Sequence, residues 1–160
     1  MMMNFLKKDY DLYAPVSGLC KDIIECKDKA FSSKALGDGL IIIPNENTIK
    51  APCSGRISSL FPTKHAIGIV TNDKKEILLH IGIDTVKLKG RYFQTYVSIG
   101  DKIKKGDKLI TFDQEYMRKN DIDMSTILIL LNGKNFRYKK KLLNDNIRVG
   151  DKIVEFESGD

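Results

Sequence analysis

The chain has 160 residues, 42% of them hydrophobic and 30% charged, enough apolar material for one domain-sized core. Its 27 Lys and Arg against 21 Asp and Glu leave a net charge of +6, spread too thinly for a nucleic-acid-binding arm: the densest run is Arg137-Tyr138-Lys139-Lys140-Lys141. Nothing approaches the ~18 consecutive apolar residues of a membrane-spanning helix, and Met1-Met2-Met3-Asn4-Phe5-Leu6-Lys7-Lys8 lacks the layout of a signal peptide.

Residues 1–11 read as an N-terminal tail, and residues 12–160 as one domain. Ala14-Pro15-Val16-Ser17-Gly18 opens the first strand, and the same pattern returns as Ala51-Pro52-Cys53-Ser54-Gly55. Leu40-Ile41-Ile42-Ile43 is a branched run ended by Pro44, and Arg56 to Phe61 runs up to Pro62. His65 to Thr71 and Glu76 to Ile81 flank the turn-forming Asn72-Asp73-Lys74-Lys75. Lys108 to Phe112, Thr126 to Leu131 and Lys152 to Phe156 complete the strands. Helix is expected only over Gln114 to Asn120, with Asp113 as N-cap, and over Lys139 to Asn144. Ile99-Gly100-Asp101-Lys102-Ile103, Lys105-Gly106-Asp107-Lys108-Leu109 and Val149-Gly150-Asp151-Lys152-Ile153 repeat one turn before a strand. The pattern predicts an all-β fold: a compact antiparallel β-sandwich with internal duplication and one or two short helical turns.

Cys20, Cys26 and Cys53 are odd in number and lack CxxC spacing, so they read as reduced thiols of a cytosolic protein. The two histidines, His65 and His80, are the chain's chemical asset. If Asn72-Asp73 makes a two-residue hairpin turn, His65 lies directly opposite His80, with Cβ atoms roughly 5 Å apart. A four-residue loop makes them diagonal neighbours at roughly 7–8 Å. In both registers Ile67, Ile69, Leu78 and Glu76 share their face.

Two facing imidazoles in an apolar setting favour their neutral forms, which are nucleophiles, bases or metal ligands. Zinc hydrolysis needs three protein ligands, and two histidines with no His-x-His pair do not supply them. A biotinyl- or lipoyl-type swinging arm needs a Lys at a hairpin tip beside Met or Ala, and none has that setting. No GxxxxGK[ST] or GxGxxG loop is present, so neither metal nor cofactor is expected. Phosphoryl transfer through histidine needs only a nucleophilic ring, a second donor and an apolar rim. The alternative is a pair of partly buried histidines with no chemistry.

His80-Ile81-Gly82-Ile83-Asp84-Thr85-Val86-Lys87-Leu88-Lys89-Gly90, with Phe93, resembles the active-site signature of the glucose-family IIA components of the bacterial phosphoenolpyruvate-dependent sugar phosphotransferase system. Leu36-Gly37-Asp38-Gly39, Phe61-Pro62-Thr63-Lys64-His65-Ala66, Phe112-Asp113 and both Ala-Pro segments follow that family's order over residues 12–156. The resemblance implies that His80 accepts a phosphoryl group from the histidine-containing phosphocarrier protein and passes it to the IIB domain of a membrane sugar permease. It gives His65 the task of orienting phosphate oxygens and Thr63 that of fixing the His65 tautomer. Asp84 and Asp28 would face basic groups on partners, and Phe31, Phe61, Ile67 and Leu78 would form the docking rim that excludes water. Regulatory partners and a weak membrane contact of residues 1–8 are further implications. An alternative is a regulatory binding protein on the same fold whose phosphorylation acts only as a switch.

Overall fold

The computed structural model describes residues 9–157. β-Branched runs give short strands: β1 (Leu12–Tyr13), β2 (Gly18–Asp22), β3 (Asp38–Pro44), β4 (Thr48–Lys50), β5 (Gly55–Leu60), β6 (Ala66–Val70) and β7 (Glu76–Ile81). They are followed by β8 (Phe93–Thr95), β9 (Lys102–Ile103), β10 (Lys108–Phe112), β11 (Thr126–Leu130), β12 (Tyr138–Lys141), β13 (Asp145–Ile147) and β14 (Lys152–Phe156). Two short α-helices interrupt them, α1 (Lys29–Ser32) and α2 (Gln114–Lys119). α2 starts where the sequence places it, with the Asp113 carboxylate accepting the Tyr116 N–H at 3.0 Å. The expected helical turn over 139–144 does not form. Tyr138 instead pairs with Phe156 in β12–β14 and its ring stacks on it at 5.4 Å, a tertiary contact that outweighs the local preference of a lysine run.

An antiparallel sheet of eight strands runs in the order β13-β2-β3-β11-β7-β6-β5-β9, beside two three-stranded sheets, β1-β14-β12 and β4-β10-β8. One face of the large sheet, through Leu40, Ile42, Ile57, Ile69, Leu79 and Leu128, meets Leu12, Ile49, Ile110 and Val154 of the small sheets in the main core. That is the sandwich. The other face is half open. Its Ile41, Ile127 and Ile129 are covered by Ile23, Cys26 and Phe31 from the β2–β3 connection, which explains why every residue of β11 is buried.

The expected duplication is visible in the pairing. A quasi-twofold relation through the β11–β7 pair exchanges β2 with β5, β3 with β6, β13 with β9, and one small sheet with the other. Tyr13 N–H donates to the Pro52 carbonyl and Lys50 N–H to the Pro15 carbonyl, both at 2.8 Å. Ala14 N–H donates to Asp151 and Ala51 N–H to Asp107, both at 2.7 Å. The three Gly-Asp turns share one geometry. Gly100, Gly106 and Gly150 take φ of 92°, 92° and 91°, as the third position of a type II turn requires. The following Asp carboxylate accepts the N–H of Ser98, Lys104 or Arg148 at 2.8 Å in each.

Residues 9–11, assigned above to the tail, belong to the body. Asp11 Oδ1 accepts the Phe156 N–H at 3.0 Å, and the Tyr10 ring lies 5.3 Å from the Lys75 ammonium. The membrane contact expected of residues 1–8 lies outside the described residues. Among those described, no helix is long and apolar enough to cross a membrane.

Candidate functional site

β7 alternates as a half-covered strand must. Ile77, Leu79 and Ile81 enter the main core, while Glu76, Leu78 and His80 turn to the other face. The hairpin to β6 follows neither expected register. Thr71 pairs with Lys75 through a three-residue connection, its N–H reaching the Lys75 carbonyl at 3.0 Å, and Lys74 closes the loop at a left-handed φ of 71°. His80 therefore stands opposite Ala66 rather than His65. In a regular ladder this single-residue shift would send the two rings to opposite faces.

They meet because β6 begins only at Ala66. Phe61-Pro62-Thr63-Lys64 is a tight turn closed by the Lys64 N–H on the Phe61 carbonyl at 2.8 Å, with Lys64 left-handed at φ 61°. A non-glycine residue there costs about 1 kcal/mol. His65 follows outside the ladder, its carbonyl accepting the Ile81 N–H at 2.7 Å, and its ring turns toward His80. The ring centroids are 4.9 Å apart at 82°, edge to face. Thr63 Oγ1 lies 2.7 Å from His65 Nδ1, within hydrogen-bond distance. Phe61 meets His65 edge-on at 5.6 Å, and Phe31 lies tilted against His80 at 4.7 Å.

Burial decides the charge state. The His80 imidazole is pushed down to about 4, chiefly by desolvation and then by the neighbouring His65. The Gly82 backbone and the Asp28 and Asp84 carboxylates pull weakly the other way. Burial also lowers His65, with the Thr63 backbone opposing the shift. Both shifts favour the neutral ring. His80 Nδ1 is sealed from solvent, which leaves Nε2 as the nitrogen open to a visitor.

The other expected site residues divide. Phe61 is exposed at the rim, Leu78 is half-buried on the His80 face, and Phe31 is buried with its ring over His80. Asp84 is exposed at a left-handed φ of 58°, and its carboxylate caps nothing. Asp28 is half-buried and spends one oxygen capping α1 through the Ala30 N–H at 2.9 Å. Ile67 is not at the rim: the one-residue register change turns it and Ile69 into the main core, each 0% exposed. Three exposed apolar side chains on the elements that carry Phe31 and Asp84 were missed: Ile24, Leu36 and Val86. Val86 lies inside the His80 signature and was legible there. Ile24 and Leu36 carry no periodic signal. No group of three or more His, Cys, Asp or Glu is placed to hold a metal among the described residues.

Two neighbouring histidines lie on one half-open sheet face, with a threonine hydroxyl beside one of them. The family model for the phosphoenolpyruvate-dependent sugar phosphotransferase system EIIA 1 component matches residues 10–136. This chain belongs to that family. Among solved structures it is similar to the glucose permease IIA from Mycoplasma capricolum, with 37% identity and a TM-score of 0.82 over 95% of this chain and 98% of that one. The chain is thus a glucose-type IIA component, a member of a phosphoryl-carrying family of sugar transport.

Proposed function

We propose that His80 carries the phosphoryl group on Nε2, accepted from the histidine-containing phosphocarrier protein and passed to the IIB domain of a sugar permease in the cytoplasm. The observation that carries this reading is a neutral His80 ring with Nδ1 sealed and Nε2 open, 4.9 Å from a second imidazole. In the acceptance step the Nε2 lone pair attacks phosphorus in line, and the electron pair of the breaking P–N bond returns to the donor ring. The transfer exchanges one phosphohistidine for another, so positioning supplies most of what is needed. With the Thr63 hydroxyl donating to His65 Nδ1, the His65 proton sits on Nε2, where it serves the phosphate oxygens. Phe61, Val86, Ile24 and Leu36 offer apolar contact to a docking partner, and Asp84 and Asp28 offer it negative charge.

Incubation with phosphoenolpyruvate, enzyme I and the phosphocarrier tests the reading. The wild-type protein acquires acid-labile phosphate and His80→Ala acquires none. His65→Gln still accepts, and loses about 100-fold or more in onward transfer to IIB. Equal loss of both steps in the two variants contradicts the division of labour. A wild-type protein that accepts phosphate and never passes it on is a switch rather than a carrier.

A further inference from the structure

The chain bends sharply just after His80. Gly82 takes φ 84° and Asp84 φ 58°, so two left-handed residues bracket Ile83. Three hydrogen bonds hold this bend. The Gly82 N–H donates to the Ser125 carbonyl at 3.1 Å, and the Ile83 N–H to the Asp123 carbonyl at 2.8 Å. The third comes from a side chain. Thr85, at the head of the 3-10 turn Thr85–Leu88, sends its hydroxyl back to the Ile81 carbonyl at 2.6 Å. That carbonyl belongs to the last residue of β7, one step beyond His80. Thr85 is 1% exposed, so its hydroxyl is lodged inside the protein. Its methyl lies against Gly82: a Cβ there would stand 2.4 Å from Thr85 Cγ2 and 3.0 Å from Met124 Sδ. Glycine is therefore required at 82 both by φ and by contact, and a glycine does not hold its own peptide in one direction. Thr85 supplies that restraint.

The direction matters because the Gly82 backbone acts on the imidazole, holding up its affinity for a proton against the burial that lowers it. A carbonyl that accepts a ring N–H acts in this sense, and an amide that donates to the ring acts in the opposite one. The Gly82 N–H is in any case taken by Ser125. We propose that Thr85 is a positioning residue for phosphoryl transfer: by tying the bend to the end of β7 it keeps the Gly82 carbonyl aimed at the sealed Nδ1 of His80, so that the proton stays on Nδ1 and the Nε2 lone pair faces the donor. This rests on His80 being the phosphoryl acceptor. Thr85 acts through Gly82 and touches no reacting atom. As Nε2 bonds to phosphorus, the donor's P–N bond breaks and its electron pair stays on the donor ring. The His80 ring gains positive charge in that step, and the Gly82 carbonyl, still accepting the Nδ1 proton, offsets part of it. A ring whose proton sits on Nε2 has no lone pair there with which to attack.

Long-range proton–nitrogen correlation spectra of the imidazoles in the full chain, near neutral pH, test the aim of the carbonyl without any transfer. Wild type and Thr85→Ser, which keeps the hydroxyl, show His80 as one tautomer protonated on Nδ1. Thr85→Val, which keeps the shape and loses the hydroxyl, shows a mixture of the two tautomers. With saturating phosphorylated phosphocarrier, Thr85→Val accepts phosphate about tenfold more slowly, with the KM for the phosphocarrier unchanged, and Thr85→Ser stays within a few-fold of wild type. Thr85→Ser loses the methyl against Gly82, so both variants lower the urea midpoint and stability does not track acceptance. A Thr85→Val protein with the single Nδ1–H tautomer and the wild-type rate overturns the proposal. So does a Thr85→Ser protein as slow as Thr85→Val, which would place the effect in packing rather than in the hydroxyl. Absence of acid-labile phosphate on wild-type His80 overturns instead the reading on which the proposal rests, and the tautomer spectra still decide what Thr85 does to the ring. If Thr85→Val does not fold, Thr85→Ala is scored by the same two measurements.

Discussion

The two halves related through the β11–β7 pair share a strand order and differ in what their outer faces carry. His65 and His80 of one half occupy the positions taken by Asp38 and Ile129 in the other: His80 pairs with Ala66 and Ile127, and Ile129 pairs with Gly39 and Leu78. Asp38 is committed to structure, accepting the Gly39 N–H at 2.8 Å and pairing with Lys141 Nζ at 3.1 Å. Ile129 is 0% exposed under the segment 23–37. The scaffold is thus symmetric and the chemistry is not. Connection length decides which half stays open: a tight turn at 61–65 leaves its sheet face reachable, and the longer 23–37 segment fills the equivalent face and reaches across to His80.

The largest effects test the equivalence itself. Gly18 and Gly55 are counterparts that open β2 and β5, and a Cβ at either would meet the backbone of the adjacent strand, 2.0 Å from the Ile43 carbonyl oxygen or 2.4 Å from that of Val70. Gly18→Ala and Gly55→Ala each lose about 3 kcal/mol or more in urea unfolding. A loss in only one of them breaks the comparison.

The next effect sharpens it, because only one half carries a titrating ring. His80 titrates at about 4 in the folded protein, against an ordinary value near 6.5 in the unfolded chain. The unfolded state therefore binds the extra proton first as pH falls. The stabilisation is complete above pH 6.5 and is lost on the way down to pH 4. Between pH 7.5 and 5 it amounts to about 2 kcal/mol. Urea midpoints across that range fall for the wild type more steeply than for His80→Gln. Parallel slopes contradict the buried neutral ring.

The smallest effects compare the three Gly-Asp turns. Asp101→Ala, Asp107→Ala and Asp151→Ala each remove one carboxylate-to-N–H bond of 2.8 Å and cost about 1 kcal/mol, alike in all three.

How much of this was legible depends on which residues carried the signal. The branched runs of β3, β7, β10, β11 and β14, the Asp113 cap and the Ala-Pro and Gly-Asp echoes all act locally, so the sandwich and its duplication could be read from the chain. The register of the β6–β7 hairpin could not. It depends on Lys74 adopting a left-handed conformation, which a lysine does not advertise. The shift turned Ile67 and Ile69 into the core, yet the histidines still meet because Lys64, another left-handed lysine, lets His65 leave the ladder. The neighbourhood of the two rings was right and the expected cause was wrong. The cover over His80 was hidden for a different reason: Ile23, Cys26 and Phe31 lie in an irregular segment with neither helical nor strand periodicity.

Phosphorus-to-nitrogen correlation NMR on the ¹⁵N-labelled protein, phosphorylated by the phosphocarrier, tests the central claim most directly. The account predicts one phosphorus resonance coupled to Nε2 of His80, with Nδ1 keeping its proton and both His65 nitrogens free of phosphorus. A coupling to His65, or to the enclosed Nδ1 of His80, would contradict it.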